Sequence, residues 1–125
     1  MAWWSRLRGA GVPAAGAGGG REPSPRSAAR AERGEASSHL AEFARTRVGV
    51  EAYLEPATTE AGLTLLLIAT DGEWTRRRVP DARTAQSFAQ DLAMPFYDVN
   101  FTGYPQRMRD YTARRRAEEK ARRRR

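Results

Sequence analysis

The sequence predicts a small α+β domain with the element order α-β-β-β-α-β-α, and three observations carry that prediction. Val48, Val50, Ala52 and Leu54 alternate with Gly49, Glu51, Tyr53 and Glu55, the period of a half-buried strand. LTLLLIAT, Leu63 to Thr70, is apolar on both faces and suits a central strand covered on each side. Ala85, Phe88, Ala89 and Leu92 fall at i, i+3, i+4 and i+7, the spacing of an amphipathic helix. Nine of the eleven aromatics lie between Ser37 and Thr112, which marks residues 37–112 as the folded domain.

The domain is expected to open with a short helix in SHLAEFARTR, where Ser38 caps the free amides and Leu40, Phe43 and Ala44 share a face. The alternating strand follows, then a loop in PATTEAG and the apolar strand. Asp71-Gly72 is a type I′ hairpin signal, since that turn asks for positive φ at both central positions. EWTRRRV is the returning strand. Its alternation sets Trp74, Arg76 and Arg78 on one face and Glu73, Thr75, Arg77 and Val79 on the other. The next helix is capped by Asp81 and stopped before Pro95. FYDVNF reads as a fourth strand, and Tyr104-Pro105 starts a last helix on which Tyr104, Met108 and Tyr111 share one face.

Residues 1–36 contain 22 Gly, Ala, Pro and Ser residues and show no apolar periodicity after Leu7, the composition of a disordered tail. Trp3, Trp4 and Leu7 are the apolar cluster within it, short for an anchor. Residues 113–125, ending in RRRAEEKARRRR, are expected to form a projecting basic helical arm.

Charge is the most uneven property of the chain. Between Pro105 and Arg125 stand ten cations and three acids, which accounts for the whole net charge of +7; the other 104 residues hold twelve of each sign. The i,i+4 pairs Asp110 with Arg114, Arg114 with Glu118, Glu118 with Arg122, Arg115 with Glu119 and Glu119 with Arg123 would support a projecting helix, at about 0.2 to 0.5 kcal/mol each. Arg116, Arg124 and Arg125 stay outside that ladder, and Arg107 and Arg109 sit closer to the domain.

Several chemistries are poorly provided for. There is no cysteine and one histidine, His39, so no Cys-His pair and no Cys/His metal cluster is expected. The glycines at Gly9, Gly11 and Gly16 to Gly20 follow no strand and open no helix, so they lack the supports of a dinucleotide cradle. No cofactor and no metal are expected. The longest apolar run is far short of the ~20 residues that cross a bilayer, and no signal-peptide core follows Arg6 and Arg8, so a cytoplasmic location is the expectation.

Two resemblances accompany these readings. The first five elements share their order with double-stranded-RNA-binding domains, without that family's lysine-rich helix start or loop motif. DGEWTRRRVPD (Asp71 to Asp81) and FYDVNFTGYPQRMRDYTARR (Phe96 to Arg115) resemble stretches of a group of small actinobacterial proteins, the likeness running from about Leu40 to Arg115. It implies a bacterial protein with no assigned catalytic or ligand residue. Some members of the group carry the label oxidoreductase, for which this chain shows no nucleotide fingerprint or redox residue.

The functional expectation is a non-catalytic binding module. Its basic arm, with Arg107, Arg109, Arg114, Arg115, Arg116, Arg122, Arg123, Arg124 and Arg125, would hold RNA, DNA or a ribonucleoprotein. Trp74 flanked by Arg76 and Arg78 would add a stacking platform, unless Trp74 is core and the arginines lay their stems over it. The alternative is an adaptor that uses Trp74, Tyr104 and the arm on an acidic protein. An enzyme would need a cleft lined by Tyr53, Tyr97, Asp98 or Asn100.

Overall fold

The computed structural model describes residues 24–59 and 62–124. The tryptophan pair and the glycine clusters of the N-terminal segment, residues 60 and 61 of the expected loop, and Arg125 lie outside them. The fold is α+β. Its elements are α1 (Pro25–Thr46), β1 (Glu51–Thr58), β2 (Gly62–Ile68), β3 (Trp74–Arg78), α2 (Ala82–Asp91), β4 (Phe96–Asp98), α3 (Val99–Thr102) and α4 (Gln106–Arg123).

α1 begins thirteen residues before the expected cap at Ser38. Ser24 caps it, accepting the Ser27 N–H at 3.2 Å, and Pro25 takes a first-turn position that needs no amide donor. Alanine, arginine and glutamate, all strong helix formers, fill most of the segment that composition assigned to a tail. Ala36, Ser37, Leu40, Ala41 and Phe43 bury its final turns, and Glu35 reaches Arg77 at 3.5 Å.

The sheet has the order β3-β2-β1-β4. β1 and β2 pair antiparallel, as do β2 and β3, whereas β4 pairs parallel to β1 through Ala52 to Leu54. β1 runs further than expected, to Thr58, with a register irregularity between Glu55 and Thr58. Pro56 falls inside that interval and has no amide to give to the ladder, which accounts for the break. β4 is shorter than expected. Asp98 ends it by accepting the Asn100 N–H at 2.8 Å and capping the single turn of α3.

Alternation divides the side chains between two layers. Ala52, Leu54, Leu65 and Leu67 face α1 and α2, where Leu40, Phe43, Ala85 and Phe88 complete the larger core. Tyr53, Leu66 and Ile68 face the opposite way and pack with Met108, Trp74, Val99 and Tyr104. The central strand is therefore buried on both faces, as its continuous apolar run requires.

The β2–β3 turn is not type I′, because Asp71 does not take positive φ; only Gly72 does, at 92°. The turn closes through Gly72 N–H to Ala69 O at 3.0 Å, and Asp71 turns its carboxylate to the Glu73 N–H at 2.9 Å. Asp71 thus acts by a local side-chain bond instead of a left-handed backbone. A Cβ on Gly72 would stand 2.0 Å from the Arg107 carbonyl oxygen, so glycine is what lets α4 come against this turn.

Candidate nucleic-acid interface

A set of polar contacts joins α4 and the segment before it to the sheet, beside the apolar packing of Met108 and Tyr104. Glu55, on the same face of β1 as Tyr53, is 7% exposed. Its carboxylate accepts from Thr64 at 3.0 Å, from Tyr104 at 2.6 Å and from Arg76, whose Nε and Nη2 each lie 3.1 Å from one of its oxygens. A two-pronged guanidinium bond with two hydroxyl donors is the arrangement a buried carboxylate requires. The Tyr104 hydroxyl is held above the usual phenol range, first by its bond to Glu55 and then by burial.

Further along, Trp74 Nε1 donates to Thr112 Oγ1 at 3.0 Å, and the Arg76 guanidinium lies 4.8 Å from the Trp74 ring centre. Arg107 pairs with Glu51 and donates to Ala69 O at 3.1 Å, while Arg114 Nη2 donates to Asp71 O at 3.1 Å. Met108 is the one side chain of α4 that is fully sunk into the smaller core. The contacts of α4 with the sheet and its β2–β3 turn thus run from Arg107 to Arg114. From Ala113 to Arg124 every described residue is exposed.

These contacts sort the sequence-derived site residues into three groups. Trp74, Arg76, Arg107 and Arg114 serve the docking of α4. Arg78, at the end of β3, lines a shallow hollow with Ala29, Glu32, Arg33 and Val79 of the opposite layer, away from α4. Arg109, Arg115, Arg116, Arg122, Arg123 and Arg124 are exposed along α4, and Arg125 lies beyond the described residues. Arg76 thus caps the Trp74 ring from within the protein. Of the two arginines flanking Trp74, Arg76 places its guanidinium over the half-buried ring, while Arg78 lies at the hollow beside α1.

The expected i,i+4 ladder is not formed. Among the described residues the ion pair within α4 is Arg115 to Glu118, at 3.6 Å and spaced i,i+3, while Asp110 accepts from Gln106 at 3.0 Å. Exposed pairs of this kind gain little over hydration and cost side-chain entropy, so their absence is physically unremarkable. More of the positive charge is consequently uncompensated than the spacing implied.

Two grooves flank the docked part of α4. One, of about 450 Å³, lies against β3 and is lined by Arg76, Tyr104, Met108, Arg109, Ala113 and Arg116. The other, of about 320 Å³, is lined by Trp74, Tyr111, Thr112, Arg115, Arg116 and Glu119. Sequence reading missed Glu55 and Thr112 as partners. The strand alternation held a signal for Glu55, since it falls on the face of Tyr53 rather than on that of Leu54; nothing local marked Thr112.

The residues named for an enzyme cleft are occupied otherwise. Tyr53 packs on Tyr97 with ring centres 5.2 Å apart, and Asp98 with Asn100 forms the cap of α3. His39 lies 2.6 Å from Thr75 Oγ1 on the other side of the sheet. Among the described residues there is no cluster of three or more potential metal ligands, and no helix is long and apolar enough to cross a membrane. The chain matches no protein-family model, no curated protein and no solved structure.

Proposed function

We propose that this protein is a non-catalytic module that holds RNA or DNA, free or within a ribonucleoprotein, through the exposed length of α4. The observation that carries the reading is the coincidence of charge and shape. The entire net charge of +7 falls in the segment that α4 dominates, and the last three turns of that helix are exposed and free of any apolar seam. Binding by such a surface is a counterion-release process, independent of base sequence and strongly dependent on salt.

The test is an electrophoretic shift of the full chain and of a chain ended after Thr112, across a salt series. The shortened chain keeps the Glu55, Trp74 and Met108 contacts and gives up the bond from Arg114 to Asp71 O. The full chain is expected to bind and the shortened chain to lose most of that binding. Equal binding by both, or binding by neither, overturns the proposal. A partner that survives nuclease treatment during native purification would point to the acidic-protein adaptor instead.

A further inference from the structure

Down the axis of α4, Arg109, Arg116, Lys120 and Arg123 are spaced by seven, four and three residues. At 3.6 residues per turn they fall within about 60° of one another and extend over about 21 Å of helix. All four are exposed, and among the described residues none of them forms an ion pair. Asp110 and Glu118 project from other sides of the helix, whereas Glu119 stands at the edge of the stripe and shares the groove by Trp74 with Arg116. The stripe itself carries four cations and no acid, and Glu119 borders it on one side.

Its position matters as much as its charge. Arg109 and Arg116 also line the groove of about 450 Å³ against β3, together with Tyr104 and the edge of Met108. The Tyr104 hydroxyl is pinned to Glu55, which fixes that ring in place. A fixed aromatic beside a row of cations is the arrangement by which unpaired bases stack while their phosphates follow a basic track.

Resting on the nucleic-acid reading above, we propose that the stripe and this groove form a track for single-stranded nucleic acid. The phosphates follow Arg123, Lys120, Arg116 and Arg109, and one base enters the groove over Tyr104 and Met108. A duplex would meet the stripe with its backbone but would leave the groove empty, since its bases stay stacked inside; single strands are accordingly preferred.

The track is tested with the full chain and two double variants that remove equal charge at equal spacing. Arg116→Ala with Arg123→Ala empties the stripe; Arg115→Ala with Arg122→Ala removes two arginines from another side of the helix. All four positions are exposed, so neither variant disturbs the core. The probes are a labelled unpaired oligonucleotide of about twenty nucleotides, a duplex of the same length, and polyglutamate. At about 0.1 M salt the stripe variant is expected to bind the single strand at least tenfold more weakly, and its salt slope to flatten by about 1.4, or 0.7 for each lost phosphate contact. The control variant, which lowers the general charge of the arm by the same amount, should lose at least threefold less binding than the stripe variant. Equal losses in the two variants, tighter binding to the duplex, or equal binding to polyglutamate overturns the track. If the native chain binds no oligonucleotide at all, the broader reading falls with it; equal losses on a chain that does bind remove the track alone.

Discussion

Tyr104 donates its hydroxyl to the buried carboxylate of Glu55 across 2.6 Å, and this bond joins the start of α4 to the middle of the sheet. Hydrogen bonds to charged acceptors are stronger than neutral ones, and a carboxylate deprived of a donor stays buried and less satisfied. Tyr104→Phe should therefore cost about 1 to 2 kcal/mol, measured as a fall in the urea midpoint at unchanged m-value. An unchanged midpoint would mean that α4 is held by Met108 and Trp74 without this bond.

Two opposite exchanges should both stabilise the protein. Gly34 sits inside α1 with open space where a Cβ would go, so Gly34→Ala should gain about 0.5 to 1 kcal/mol by lowering the entropy lost on helix formation. Ala93 follows α2 at φ 54°, and its N–H bonds Gln90 O while that of Met94 bonds Ala89 O, the double bond pattern of a left-handed helix stop usually given to glycine. Ala93→Gly should relieve about 1 kcal/mol of backbone strain. Thermal melts followed by circular dichroism check both. For Gly34→Ala, unchanged stability and helix content would contradict the extension of α1 over residues 25–36.

Those two positions also show what could be read from the sequence and what could not. The periodicities at Val48 to Leu54, Leu63 to Thr70 and Ala85 to Leu92 led to strands and a helix in the right order, because each belongs to a face that the core must cover. The first half of α1 has no such face and so shows no periodicity; its helicity comes from the Ser24-Pro25 start and from alanine-rich propensity, which composition counts had absorbed into a tail. The parallel pairing of β4 with β1 leaves no local trace, since three residues cannot reveal their neighbour. At the interface, strand alternation placed Trp74 and Arg76 together, yet their capture by Thr112 and Glu55 depends on side chains 38 and 21 residues away. Of the expected Tyr104, Met108 and Tyr111 face, Met108 and Tyr104 do reach the smaller core, but Tyr104 does so from the segment before α4 and Tyr111 is not part of that core.

Acid should weaken the fold in two separate steps. Burial, followed by the nearby Arg77 guanidinium, holds His39 below its ordinary value of 6.5, so the folded state favours the neutral ring. The unfolded chain then takes up more protons as pH falls, and stability present above about 6.5 is lost on descending through the folded value. The bond from Arg47 holds Glu73 below its usual 4.5, so its contribution disappears only at still lower pH. Melting temperatures between pH 8 and 5.5 should decline in the native chain and be flatter in His39→Gln, which retains a hydrogen-bonding group for Thr75. Parallel declines in both would assign the loss to other groups.

Nucleic-acid binding by this protein depends on the exposed cations of α4 acting as phosphate ligands. The most direct measurement is the salt dependence of binding between the full chain and an unpaired oligonucleotide, followed by fluorescence anisotropy. With the four stripe cations each neutralising a phosphate, log K should fall against log salt with a slope of about −2.8. A slope close to zero, or no binding even at low salt, would contradict it.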